Sequence, residues 1–400
     1  ATLEKKLSSQ LYKLFTTTHK PTTMAFIFFF LAISPVWVSA LTSPQDVAAL
    51  KSFRSSINPS SIPPWSCIAS WNFSSDPCQL PRREHFICGV TCSPDLSRVT
   101  GIALDSAGYS GKLLPGVFSL SKLAVLDVAN NNFYGSFPLG ISSLVNLQTL
   151  VLSSNSFSGV LPDSIFSRLR SLETLDISRN YFSGKLPSSL SSMVKLERLD
   201  GSYNKFTGSI PKLPPNLLEL AMKSNSLTGD LPAFAFSGLN SLETVDLSEN
   251  TISGTVETWL FLLPAIQQVN LSNNSLQYVS VPKPLNDCPL VAMDLGFNRL
   301  EGMLPANFAG YPSLAALSLR YNVLRGAIPP EYSQNNHLTR LFLDGNYLIG
   351  QPPMGLFSGG GPASGSLGDN CFKVCPKSSP LCQPSQKAAA ICKQAYAGKW

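Results

Sequence analysis

Ten asparagines recur through the middle of this chain at nearly constant spacing: Asn131, Asn155, Asn180, Asn204, Asn225, Asn250, Asn274, Asn298, Asn322 and Asn346. The intervals are 24, 25, 24, 21, 25, 24, 24, 24 and 24 residues, so one short unit is stacked on copies of itself. Each asparagine stands five residues after an apolar position (Leu126, Leu150, Leu175, Leu199, Leu220, Val245, Val269, Met293, Leu317, Leu341), in the pattern L-x-L-x-x-N. Side chains alternate along a strand, so in x-L-x-L-x the leucines make a core and the x residues a solvent face. The asparagine falls where the chain turns and backbone polar groups are buried. A carboxamide both donates and accepts hydrogen bonds, so the asparagines are expected to be structural.

The continuation is as regular, as in Asn155-Ser156-Phe157-Ser158-Gly159-Val160-Leu161-Pro162. Glycine permits backbone geometry that a Cβ hinders, and proline ends each pairing segment. N-x-F-S-G-x-[IL]-P resembles the plant-type leucine-rich repeat of secreted and receptor ectodomains, over residues 99–353. The resemblance implies an α/β repeat solenoid, a right-handed superhelix with an inner parallel β-sheet. One repeat cannot bury its own apolar side, so both ends need caps. An atypical unit at 99–104, with Ala107 in the asparagine place and Gly111 in the glycine slot, brings the count to about eleven repeats in 99–355.

The ends differ in kind from the middle. Residues 1–23 begin without Met and carry no period, so they read as non-native leader upstream of the start. The apolar run 24–40 is short for a membrane span and ends in Val38-Ser39-Ala40. It reads as a secretory signal peptide, with the mature chain starting near Leu41. Cys67, Cys78, Cys88 and Cys92 fall in an N-terminal cap, 41–98, while Cys371, Cys375, Cys382 and Cys392 follow the Gly- and Ser-rich stretch in 356–400. Two even sets read as disulfide staples, with three pairings open at each end. Cys288 is the odd one and is expected to be a buried free thiol. No histidine cluster supports a zinc site, and no metal or cofactor is expected. In the N-terminal cap, Ser43 reads as a helix N-cap, Pro44 as the first helical residue and Asp46 as an acid in the first turn. Val47, Leu50 and Phe53 form an apolar stripe to lie on the first repeat. Trp71-Asn72 and Gly89-Val90-Thr91-Cys92 resemble the cap that precedes plant leucine-rich repeats. The insert 81–88 is longer than the usual form and leaves the usual pairing open.

At 44% hydrophobic and 14% charged residues this is a core-forming chain whose polar surface is mainly Ser, Asn and Thr. Residues 1–40 carry +3 of the formal +6, and the remainder is no argument for nucleic acid. His85 and His337 have no partner motif, and no G-x-S-x-G elbow, P-loop or H-E-x-x-H is present. Asp127, Asp176, Asp200, Asp246 and Asp294 form a column that could supply paired carboxylates for glycoside hydrolysis. Repeats of the type it resembles read L-D-L-S-x-N, however, so the column is expected to be solvated consensus and the chain no enzyme. No run of spanning length follows the signal, so no transmembrane span is expected in the mature chain.

A ligand would lie on the inner face. In the first half this face reads Thr149, Val151, Ser153, Thr174, Asp176 and Ser178, and toward the C-terminal end Phe297, Arg320, Tyr321, Arg340 and Phe342. Aromatics and arginines dominate binding hot spots. These five are expected at outward positions of three successive strands, where truncation spares the core. The alternative is that Phe297 and Tyr321 merely stack on each other. Asn72, Asn270 and Asn273 head N-glycosylation sequons, and a glycan on Asn270 would stand on the inner face itself. No long island interrupts the repeats, unlike the steroid-binding receptors they resemble, which favours a peptide or protein ligand. The resemblance to receptor-like proteins without kinases implies a secreted recognition protein of the apoplast or cell wall, peripheral at most to the plasma membrane. It would act in defence or development with a partner receptor kinase as co-receptor. A second resemblance, to polygalacturonase inhibitors, implies a soluble wall protein that binds a pathogen's pectin-degrading enzyme.

Overall fold

Three-residue strands centred on the first leucine of each repeat pair side by side into a thirteen-stranded sheet. The computed structural model describes residues 41–79, 88–113, 115–285, 287–358, 361–376 and 378–397. The leader 1–23, the signal 24–40 and His85 lie outside them. Eleven strands, from Val99–Ala103 to Arg340–Phe342, run parallel in sequence order. Their register never slips: Leu126 faces Leu150, which faces Leu175, which faces Leu199. All four are buried, and a one-residue slip would turn every leucine to solvent. The strand Val90–Cys92 pairs antiparallel at one end and Ser364–Ser366 pairs parallel at the other.

The asparagines hold this register. The Asn250 Nδ2 donates to the carbonyls of Met222, Leu247 and Ser248 at 3.0, 3.1 and 3.0 Å, and its Oδ1 accepts from the Leu227 N–H at 2.9 Å. Two of these partners belong to the preceding repeat, so each carboxamide stitches neighbours together. The ladder runs one step beyond 355. Asn370, fully buried, makes the same set of bonds to Leu343, Leu367, Gly368 and Leu348. The segment 356–400 therefore contains a twelfth unit, hidden in the sequence because Gly365 stands where the first strand leucine should be. A Cβ there would collide with the backbone of Leu341.

Opposite the strands the chain makes short 3-10 turns such as Leu139–Ser143, Ser188–Ser192 and Ala306–Gly310, and four-residue α-turns at Asp163–Phe166 and Ala233–Phe236. A proline at the N-cap position, such as Pro138 or Pro187, starts the turn in extended geometry. The 21-residue unit, three residues shorter, has no helical turn between Lys205–Gly208 and Glu219–Ala221. The N-x-F-S-G segments build a second, eight-stranded parallel sheet from Ser110–Gly111 to Ser275–Val279. The slot glycines serve it twice over. Gly184 sits at φ +78, and a Cβ there would lie 2.8 Å from the Val160 side chain of the preceding repeat.

At the N-terminal end helix α1 (Pro44–Ser55) buries Asp46, Ala49, Leu50 and Phe53, while Val47 is only partly covered. The Ser43 side chain makes no capping hydrogen bond. Asp46 does not face solvent in the first turn. It is fully buried and accepts from Arg98 Nε and Nη2, both at 3.0 Å, and from the Val99 N–H at 2.8 Å. Disulfides join Cys67 to Cys88 and Cys78 to Cys92 at this end, and Cys371 to Cys392 and Cys375 to Cys382 at the other. Cys288 is free and buried.

Candidate ligand-binding face

The solvent side of the long sheet is less polar and less uniform than its columns of Asp and Ser suggest. Five of the strands end on an Asp whose Oδ1 accepts from the backbone N–H two residues on, as Asp127 from Ala129 at 2.9 Å, Asp200 from Ser202 at 2.8 Å and Asp294 from Gly296 at 2.8 Å. Ser178 and Ser248 add their own hydroxyls to Asp176 and Asp246, at 2.7 and 2.6 Å. The column is therefore a set of half-buried turn caps rather than a solvated stripe. Ser153 and Ser178, read from the sequence as facing outward, are buried beneath it.

Burial pushes the Asp200 carboxyl above its usual value, and the charges of Asp176 and Asp246 push the same way. A raised carboxyl pKa adds stability that is complete below the unfolded value and is lost as the pH rises through the folded one. Asn270 occupies the same column and keeps the cap, accepting from the Ser272 N–H and hydroxyl at 3.1 and 2.8 Å. Asp200→Asn, made in a non-glycosylating host because it creates a sequon, should therefore reduce the loss of melting temperature between pH 4 and pH 7. An unchanged pH profile would show that Asp200 ionises freely in the fold.

Toward the C-terminal end the face sinks. The first outward position of each strand carries Thr244, Gln268, Ala292, Ala316 and Arg340 in turn, so two consecutive repeats bear only a methyl group. The result is a depression of about 470 Å³. Ala292 and Ala316 form its floor, Gln268 and Asn270 one wall, and Arg340 and Phe342 the other.

Four of the five expected ligand residues, Phe297, Arg320, Arg340 and Phe342, line the depression in unequal roles, and Tyr321 stands outside its lining, stacked on Phe297. Only Arg340 and Phe342 lie on a strand. Phe297 and Tyr321 precede the ladder asparagines Asn298 and Asn322 at φ +56 and +50, in the left-handed region. Their expected strand positions are thus corrected: the rings project from the turns that follow the strands. They stack on each other with centroids 4.7 Å apart and planes 13° apart. The next residue of that column is Gly345, where a Cβ would stand 2.5 Å from the Tyr321 ring.

Arg320 does not stand free on the face. Its guanidinium lies 5.7, 5.4 and 5.4 Å from the ring centroids of Phe297, Tyr321 and Phe342, and its Nη2 pairs with Asp344 at 2.8 Å. Asp344 is buried. Truncating Arg320 would leave that carboxylate uncompensated, so the expectation that all five side chains can be removed without disturbing the fold fails here. Arg340, by contrast, is exposed, and among the described residues no carboxylate lies within ion-pair distance of it. Sequence reasoning missed Asp344 and the floor of Ala292 and Ala316. The floor was visible as two alanines in a column of larger residues.

The three sequons fall at different depths. Asn72 and Asn273 are exposed, and Asn270 is half-buried on the wall of the depression. Among the described residues no helix is long and apolar enough to cross a membrane.

A family model for the leucine rich repeat matches residues 145–206, 215–276 and 289–348. Receptor-like protein 7 of Arabidopsis thaliana is 42% identical over 93 residues, which cover 23% of this chain and 9% of that protein. The chain carries leucine-rich repeats of the plant type. Among solved structures, this repeat protein is similar to PEPR1 in the PEPR1–AtPEP1 crystal structure, at 30% identity and a TM-score of 0.68, over 82% of this chain and 48% of that one. It is also similar to the plant peptide hormone receptor RGFR1 in complex with RGF2, at 30% identity and a TM-score of 0.61, over 66% of this chain and 42% of that one. The leucine-rich-repeat protein thus spans less than half of either receptor chain, and less than a tenth of receptor-like protein 7.

Proposed function

We propose that this chain is a non-catalytic extracellular recognition protein that holds a peptide or protein segment against the long sheet at the two-repeat depression. It would act in defence or developmental signalling together with a receptor kinase. The observation that carries the reading is the depression: a small-residue floor beside an unpaired Arg340, a half-exposed Phe297–Tyr321 stack and Phe342. A concave site that sets an apolar floor and one aromatic wall among polar side chains can both desolvate and orient a ligand. Likeness to PEPR1 and RGFR1, solved with AtPEP1 and RGF2, supports a ligand of peptide class. Cleavage near Leu41, secretion and glycans on Asn72, Asn270 and Asn273 belong to the same reading. A glycan on Asn270 would narrow the depression from its N-terminal wall and leave the Arg340 wall open.

The test begins with a partner captured from wall and apoplast proteins by the mature chain. Tyr321→Ala and Arg340→Ala should each weaken its binding by about 2 kcal/mol or more, roughly thirtyfold, as hot-spot truncations do. The unfolding midpoint should move little, since both side chains are exposed. A partner that binds Tyr321→Ala, Arg340→Ala and Phe342→Ala as it binds the parent would move the site elsewhere on the sheet.

A further inference from the structure

The second sheet carries a chemical asymmetry that the ligand face does not explain. Three of its strands, Asn132–Gly135, Tyr181–Lys185 and Lys205–Gly208, turn Tyr134, Tyr181, Lys185 and Lys205 to solvent, and Ser156–Val160 between the first two exposes Ser158 and Val160. The two tyrosines are 47% and 52% exposed. Each has an ammonium beside it: Lys112 Nζ lies 5.9 Å from the Tyr134 centroid, and Lys205 Nζ 5.3 Å from that of Tyr181.

The lysines are held rather than loose. The Lys112 stem lies over Gly135 and the Lys185 stem over Gly208, 3.7 and 3.0 Å from where a Cβ would stand, so the glycine slots are troughs for these stems. Among the described residues none of Lys112, Lys185 and Lys205 has a carboxylate at ion-pair distance. Hydroxyls fill the gaps, with Ser156 opposite Tyr134, Ser158 opposite Tyr181 and Ser183 opposite Lys205. Further along the sheet the position of Lys185 passes to Asp230, which overlies Gly254. The basic character is confined to the N-terminal part: Tyr278 at the other end of the sheet is also exposed, but its hydroxyl donates to Glu301 and no lysine flanks it among the described residues.

Exposed rings flanked by unpaired ammonium groups and hydroxyls match a sugar ring that carries a carboxylate. The C–H bonds on one face of a pyranose bear partial positive charge and pack on the negative face of a tyrosine. The carboxylate takes a charge-assisted hydrogen bond from lysine, and the sugar hydroxyls exchange bonds with serine. A peptide is disfavoured, because side-chain specificity needs pockets and the depression lies on the other sheet. Tyr134 and Tyr181 stand two strands apart, about 10 Å across the sheet, so one polymer can reach both. We infer that this face binds an acidic polysaccharide, a polyuronate chain laid across the strands.

The test uses the purified chain on immobilised polygalacturonate, with the fully methyl-esterified polymer and poly-glutamate as comparisons. The protein should be retained on the free acid at low salt and released as salt rises, since exposed charges are screened. A Lys185→Ala/Lys205→Ala variant and a Tyr181→Ala variant should each bind at least tenfold more weakly with unchanged melting temperature. Arg340→Ala should bind the polymer normally, which separates this face from the peptide site. Equal retention on the esterified polymer, equal binding of poly-glutamate, or variants that bind like the parent would overturn the assignment.

Discussion

Replacing Asp46 by alanine should lower the stability of the N-terminal end by about 3 to 5 kcal/mol, the range expected when one partner of a buried ion pair is removed. Asp46 is fully buried, and it holds both Arg98 nitrogens and the Val99 N–H. Arg98 immediately precedes the first parallel strand and Val99 begins it, so this carboxylate fastens helix α1 to the start of the solenoid. Without it the guanidinium loses its hydrogen-bonded counter-charge and keeps only the weaker influence of Asp95, and the Val99 amide loses its acceptor. Because repeats are stabilised chiefly by their neighbours, the loss should appear first as fraying. Hydrogen exchange should rise across residues 44–57 and 99–103 before the middle repeats melt. Native-like exchange there in Asp46→Ala would mean that the two disulfides alone secure this cap.

Asn250→Ala should cost about 3 kcal/mol in the middle of the array. The three carbonyls that Asn250 serves do not become orphans, since Met222 O keeps Asn225 Nδ2, Leu247 O keeps Asn274 Nδ2 and Ser248 O keeps the Ser224 N–H. The Leu227 N–H is different. Its acceptor is the Asn250 Oδ1, and a buried donor left unpaired costs about 1 to 3 kcal/mol. The lost second bonds at the carbonyls account for the rest. The loss should be read as a lower midpoint in chemical unfolding, with far-ultraviolet circular dichroism unchanged under native conditions. An unaltered midpoint would show that water reaches the Leu227 amide.

The amount legible in advance follows from the range of the interactions involved. The L-x-L-x-x-N period announces itself because strand alternation and the turn at the asparagine are local, and because stacking repeats the same demand at every unit. The twelfth unit escaped notice since Gly365 breaks the pattern at the residue the eye uses to align it. Asp46 was legible as an acid in a first helical turn, but its true partner is Arg98, fifty-two residues on. The Asp and Ser columns were legible as columns. Their burial was not, because the pattern says which side a residue faces and nothing about the cap it makes.

By itself, then, the order of residues determined the repeat, the core leucines, the asparagine ladder and the cysteine-rich ends, for these rest on contacts that each unit makes with a copy of itself. It also brought Phe297, Arg320, Tyr321, Arg340 and Phe342 to notice together. Only the tertiary structure decided which of them are free. Arg320 belongs to the buried Asp344 of the next repeat, Phe297 and Tyr321 cover each other, and Arg340 alone keeps an unpaired charge beside the hollow over Ala292 and Ala316. The reason is physical: a side chain's availability depends on what stands one repeat away, about 5 Å across the sheet and some 24 residues along the chain, and periodicity carries no information about that neighbour's size or charge.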